Sequence, residues 1–368
     1  MIKRVIMVAV CVLACSAASA REKAARGRAR CLGPGRVQCL INQRLIHQLE
    51  EGDVHVRRRA ARTLEKRGAG AVSARAALER AVLADRDPEV RLGALAALDA
   101  ISPDARTSIP VLIKALSDIH PPVRESACRV LGQLSNAARK AQASLERVLH
   151  RDASEQVRVC AAQVLTRIGP ALRPALKALE RALLNDRSTR VKTAAVAALV
   201  RLDPGAKASL ATYEKALCRR DPELRRAAAD AIIRLGSKRA GLVLTRSLKH
   251  RSRDCREAAV QALARIKPLP HSLFPSLRLA LGDRDAGVRL VAAAAIGGVG
   301  PKAAPALSNL RDMLIKDRDA RVRRAAAVAI GRVDTGSTES KRALKHAAAS
   351  DADPKVREAA KRTLARFQ

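Results

Sequence analysis

The chain has 368 residues and a formal net charge of +36, with 53 Arg, 18 Lys and 74 Ala but only three aromatics, Tyr213, Phe274 and Phe367. A core of large aromatic side chains is therefore excluded, and at 48% hydrophobic the chain is too apolar for a disordered polycation. What remains is an extended, all-helical protein with a thin core made by close helix contact over small residues.

Residues 1–20 read as a secretory signal. Lys3 and Arg4 precede the apolar run Val5 to Ala14, and Ala18-Ser19-Ala20 is a small-residue cleavage site. That run is shorter than the about 20 residues a membrane-spanning helix needs. A second reading is a lipoprotein signal, Val12-Leu13-Ala14-Cys15, with lipid on Cys15, although Leu13 is bulky for such a motif. Either cleavage places the mature chain outside the cytoplasm, and no later stretch reads as a transmembrane helix. Residues 21–44 match no repeat and read as a flexible basic leader. In it Cys31 and Cys39 flank the turn-rich Leu32-Gly33-Pro34-Gly35, a spacing that suits a local disulfide. Cys128, Cys160, Cys218 and Cys255 lie in helical segments and read as small buried hydrophobes. No Cys/His cluster has metal-ligand spacing.

From there on one unit recurs. An apolar residue followed by a basic one marks ten anchors: Val56-Arg57, Val90-Arg91, Val123-Arg124, Val157-Arg158, Val191-Lys192, Leu224-Arg225, Cys255-Arg256, Val288-Arg289, Val322-Arg323 and Val356-Arg357. They stand 31 to 34 residues apart. Four residues after each anchor is Ala, and eight after it is Leu or Ile, so one helix face carries the stripe. Asp stands five residues before seven anchors, and Asp-Pro pairs such as Asp87-Pro88 and Asp353-Pro354 read as helix starts. A second amphipathic segment precedes each start, so a unit is two antiparallel helices. The helix faces five residues after the anchor, as at Leu95, Ala162, Val196, Ala229, Ala293 and Ala327, read as a small, apolar outer surface.

The pattern Asp-x-x-Pro-x-Val-Arg-x-x-Ala-x-x-x-Leu, seen from Asp85 to Leu98, resembles the HEAT repeat in the bacterial form of the phycobilin lyases. The resemblance covers about 45–368. It implies an all-α fold, a right-handed α-α superhelix (HEAT-like solenoid) of about ten two-helix repeats, whose terminal repeats cap the stack. It also implies binding of other macromolecules and an Asp–Arg ladder.

The ladder residues are Arg57, Arg91, Arg124, Arg158, Lys192, Arg225, Arg256, Arg289, Arg323 and Arg357. The position after the anchor lies about 20° from the Leu/Ile position on a helical wheel. Its stem can thus cover apolar surface while its head meets an Asp. The structural reading outweighs ligand contact there. In the irregular repeat with spacing 31, His250 replaces the expected Asp. A basic patch surrounds it: Lys238, Arg239, Arg246, Lys249, Arg251, Arg253 and Arg256, adjoined by Arg219, Arg220, Arg225 and Arg226. This patch is the candidate partner-binding site.

No catalytic, cofactor-binding or metal-binding constellation is evident, and no cofactor is expected. No His is followed by Glu, so iron-dependent HEAT-like hydroxylation is unsupported. The expected function is a non-enzymatic scaffold outside the cytoplasm that binds proteins or acidic polymers. Nucleic-acid binding is the first alternative on charge, weakened by the scarcity of aromatics for stacking. Lyase-type action on a protein-bound cofactor is the second.

Overall fold

The computed structural model describes residues 36–101, 105–169 and 173–367. It divides into two compact bodies, Met1–Gly169 and Pro170–Gln368. In the first lie α1 (Arg36–Glu51), α2 (Val54–Arg67), α3 (Arg75–Ala84), α4 (Pro88–Ile101), α5 (Ile109–Ala115), α6 (Pro121–Gln133), α7 (Gln142–Arg151) and α8 (Glu155–Ile168). In the second lie α9 (Arg173–Asn185), α10 (Thr189–Leu202), α11 (Leu210–Leu217), α12 (Pro222–Arg234), α13 (Ser237–Ser247), α14 (Arg253–Arg265), α15 (Phe274–Ala280), α16 (Ala286–Val299), α17 (Leu307–Lys316), α18 (Ala320–Val333), α19 (Thr338–Ser350) and α20 (Pro354–Ala365). Among the described residues there is no strand, and the helices form ten consecutive pairs. The fold is the all-α HEAT-like solenoid expected from the repeat.

The even-numbered helices carry the anchors. In the first body α2, α4, α6 and α8 pack in series; in the second α10 through α20 do the same. Alanine four residues after the anchor is buried in every repeat, from Ala60 to Ala360. With no side chain beyond Cβ, it lets neighbouring backbones close up. The stripe loosens only at the ends, where Val56 and Leu364 are half-buried because a neighbour is missing on one side. Phe367 packs over Gly336 at the C-terminal end. At the other end, buried Asn42 donates to the Gly70 carbonyl (2.7 Å) and accepts from Arg67 Nε (2.9 Å).

Helix starts use the residue three before the anchor. Asp53, Ser188, Asp221, Asp285, Asp319 and Asp353 accept first-turn N–H groups there. The Asp five before the anchor is left for another task.

Several expectations need correction. α1 begins at Arg36, inside the stretch read as leader; residues 1–35, with the signal, Cys15 and Cys31, lie outside the described residues. The faces read as an outer surface are buried: Leu95, Ala162, Val196, Ala229, Ala293 and Ala327 are at most 5% exposed. Within each body an anchor helix that has an anchor helix on either side touches both, so its buried stripe is wider than one partner requires. Contrary to the sequence reading, Ala286–Lys316 is long and apolar enough by composition to cross a membrane. It is not one straight helix, however. Gly300, at φ 73°, ends α16, and a 3-10 segment to Ala306 leads into α17.

Candidate functional site

The ladder is the most regular polar feature. Arg57 Nε and Nη2 donate to the two oxygens of Asp85 at 2.7 and 3.1 Å. Arg91 does so with Asp118, Arg124 with Asp152, Arg256 with Asp283, Arg289 with Asp317 and Arg323 with Asp351, at 2.6–3.0 Å. The third nitrogen, Nη1, donates to a carbonyl ahead of its own helix, as Arg124 does to Asp118 O (2.8 Å). Each carboxylate also caps its own turn; Asp152 Oδ1 accepts the Ser154 N–H at 2.8 Å. The planar guanidinium fork satisfies both partners at once.

These contacts shift the charged groups. The Arg323 hydrogen bonds hold the Asp351 carboxyl below its ordinary range. At Asp118, Asp283 and Asp317 burial works to raise the carboxyl, and the paired arginine with the turn N–H outweighs it. Arg57, Arg124, Arg256, Arg289 and Arg323 are held more firmly protonated by their aspartates.

The ladder is interrupted twice. Arg219 and His250 stand where the Asp rungs facing Lys192 and Arg225 belong. Arg225 keeps the carbonyl contacts of its class, to Arg219 O (2.9 Å) and Arg220 O (2.7 Å). In place of a two-oxygen rung it has, among the described residues, only Asp254, 3.8 Å away. His250 keeps the turn but not the rung: its Nδ1 accepts the Ser252 N–H at 3.0 Å, as an Asp oxygen does elsewhere.

The structure divides the basic patch expected from sequence. Arg256 is a buried rung to Asp283. Arg253 meets Asp285 at 3.0 Å, Arg246 meets Glu214 at 3.1 Å, Arg239 donates to Gly205 O, and Arg219 to Leu184 O. The side chains of Arg220, Arg226, Lys238, Lys249 and Arg251 make no ion pair among the described residues. Lys238 and Arg239 open α13, whereas Lys249 and Arg251 lie past its other end, about 15 Å along the axis. Arg219, Arg220, Arg225, Lys249 and Arg251 gather at one turn edge; Lys238 and Arg239 do not join them.

The cysteines were misread. Cys218 and Cys255 are disulfide-bonded across 37 residues. Their sulfurs and a ring nitrogen of His250 lie within 4.8 Å of one another. No sequence spacing revealed this cluster, because stacking of neighbouring repeats, not a local motif, assembles it. Cys128 and Cys160, on adjacent helices α6 and α8, share a thiol hydrogen bond that holds the Cys160 thiol down and pushes the Cys128 thiol up. Cys39 is bonded as well, and its expected partner Cys31 lies outside the described residues.

A second surface escaped the sequence reading altogether. Ten residues after the anchor, Arg201, Arg234, Arg265, Arg332 and Arg366 form a column at the anchor-helix C-termini of the second body, and Arg167 holds the same position in the first. Their charge suits the negative helix end. Across α16, α18 and α20 this column borders a groove made of two adjoining depressions of about 460 and 660 Å³ that share Arg324 and Val328. Its floor is Leu290, Ala294, Gly297, Ala325, Val328, Ala329 and Ala359. Its rim is Arg321, Arg324, Arg332, Lys355, Arg362 and Arg366, with Glu358 the one acidic group. Glu358 is already taken by Arg362 (2.7 Å), and Arg321 by Asp319 (2.7 Å). Arg324, Arg332, Lys355 and Arg366 make no ion pair among the described residues. A Cβ at Gly297 would stand 3.1 Å from Ala329 Cα and 3.6 Å from Arg332 Cδ, so the glycine admits both the neighbouring backbone and the arginine stem.

Comparison with known proteins fits this architecture. The family model described as HEAT repeats matches residues 41–118, 109–200 and 274–365, more than half of the chain. The internal stretch it leaves, 201–273, holds both ladder interruptions. No curated protein matches the sequence. Among solved structures, the karyopherin Kap121p bound to the SUMO protease Ulp1p superposes with a TM-score of 0.63 at 17% identity, over 95% of this chain and 43% of that one. Kap121p bound to Nup53p gives 0.62 at 16% identity, over 91% and 42%. The chain spans less than half the length of these structures, and at such identity the likeness is one of fold. The helix pairs stacked within each body, their Asp–Arg ladder and the family match together establish that the chain belongs to the HEAT-repeat family.

Proposed function

We propose that the protein is a non-enzymatic scaffold outside the cytoplasm that holds an acidic segment of a partner protein. The observation that carries this reading is the groove across α16, α18 and α20. Its small apolar floor leaves room for a peptide, and its rim offers Arg324, Arg332, Lys355 and Arg366 without internal counter-ions. The fold supports it, since the similar Kap121p is known with bound protein partners. Cationic side chains with free heads on a shallow apolar floor suit carboxylates carried on a flexible chain. The turn edge at Arg219, Arg220, Lys249 and Arg251 would extend the same preference for acidic ligands.

The test is anisotropy of a fluorescent Glu-rich peptide. Arg324→Glu together with Arg332→Glu should weaken binding at least about tenfold. Raising salt from about 50 to about 200 mM should weaken wild-type binding as well. Unchanged affinity in the double variant removes the groove from the reading, and tighter binding of single-stranded DNA than of the peptide favours the nucleic-acid alternative. The location is tested by the N-terminus of the protein made in its native cell. A chain starting at Arg21 in the envelope or medium supports export, and an intact Met1 in the cytoplasm overturns it.

A further inference from the structure

We propose that Cys218, His250 and Cys255, with the disulfide reduced, form a site for one soft d10 cation, Cu(I) in preference to Zn2+. Three observations lead to it. The two sulfurs and a His250 ring nitrogen already lie within 4.8 Å of one another, a span one ion can bridge. Two of the three break the repeat where they stand. Cys255 is the only anchor that is not Val or Leu, and His250 takes the place of a ladder Asp. Lastly, the family match omits the stretch that holds all three.

The choice of ion follows from charge and burial. Two thiolates and an imidazole are soft ligands suited to Cu(I). With Cu(I) the site carries one net negative charge, and with Zn2+ none. Arg225, which lacks its carboxylate rung because of His250, supplies the matching positive charge, with Arg219, Arg220 and Arg251 at the same edge. Cys255 is fully buried and Cys218 half-buried, which limits the water that Zn2+ would take as a fourth ligand. A neutral imidazole has one lone pair in the ring plane. In His250 the Ser252 N–H now holds it, so ion binding exchanges that turn hydrogen bond for a metal bond.

The disulfide is the metal-free, oxidised form. A dithiol reductant delivers two electrons and two protons to the Cys218–Cys255 bond and leaves as its own disulfide. Each thiol then releases its proton as its sulfur bonds the ion.

The experiment titrates full-length protein with Cu(I) held by a chromophoric chelator, in reduced and oxidised forms. With Cys31→Ser and Cys39→Ser removing the other expected pair, reduced protein should withdraw one equivalent more than oxidised protein. Cys218→Ser should lose that equivalent, and Cys128→Ala with Cys160→Ala should retain it. His250→Asp is the variant that protects the fold, because it restores the rung to Arg225. It should melt no lower than wild type yet bind Cu(I) at least about tenfold more weakly, since carboxylate is a poor ligand for a soft ion. Equal uptake by reduced wild type and Cys218→Ser overturns the site. Unchanged affinity in His250→Asp overturns the three-ligand arrangement, and Zn2+ displacing Cu(I) overturns the assignment of the ion.

Discussion

Arg124 and Asp152 illustrate what a rung does. Their side chains are 12% and 5% exposed, and every nitrogen on the inner edge of the fork is bonded. Removing the arginine leaves a nearly buried carboxylate with only its turn N–H. Arg124→Ala should therefore cost about 2–4 kcal/mol, read as a lower urea midpoint. A loss below about 1 kcal/mol would mark the rung as an ordinary surface pair. Acid should act on the carboxylates held below their ordinary range, the rungs Asp118, Asp283, Asp317 and Asp351 and two outside the ladder. Hydrogen bonds from Arg58 bring the Asp87 carboxyl to about 2, and at Asp334 those from Ser337 and Ser340 outweigh burial and also leave it at about 2. A carboxyl whose folded value is depressed stabilises fully above its unfolded value near 3.8 and loses that contribution as pH falls toward the folded value. Helical signal should thus be flat above about pH 5 and decline between about pH 4 and 2; a decline centred near pH 6 would contradict these carboxylates as its source. The rungs were legible because both members recur at fixed offsets in sequence. The Cys218–His250–Cys255 cluster was not, because its members occur once and meet only when two repeats stack.

At the scale of the helix, alanine four residues past the anchor is a spacing element. Ala161 is fully buried between α6 and α8 and their neighbours. Ala161→Leu should cost about 1–3 kcal/mol through overpacking, whereas Ala349→Leu, on the exposed face of α19, should change stability by less than about 0.5 kcal/mol. Equal effects at the two sites, compared by thermal melting, would contradict a tight seam. The anchor, alanine and leucine positions could be read directly from sequence because each repeats in register. The positions five past the anchor were assigned outward because periodicity locates the centre of a buried stripe and not its width. They lie about 140° from the anchor on the wheel, still within reach of the next anchor helix. The arginine column ten past the anchor lies outside the apolar stripe that the repeat marks, and the groove it borders is made jointly by three helices distant in sequence.

Across the molecule, the ladder reassigns much of the +36. The rung arginines face aspartates and leave little for a ligand, whereas Arg332 and Arg366 at the anchor-helix ends and Arg220, Lys249 and Arg251 at the turn edge near His250 make no ion pair among the described residues. The ladder also has a consequence for how such a chain tolerates change in length. Each rung reaches from one repeat to the Asp that opens the second helix of the next, 27 or 28 residues on. An internal repeat with its Asp in place therefore presents one plug and one matching socket. Excising 119–152 joins Asp118 to Ala153, keeps Arg91 on Asp118 and gives Arg158 the Asp118 carbonyl in place of that of Asp152. The shortened protein should remain helical and melt cooperatively, while removal of 119–135, half as much chain, should not fold. Circular dichroism of the two deletions decides it, and equal failure of both would sink the idea. A chain built this way can gain or shed whole modules without a new interface having to arise.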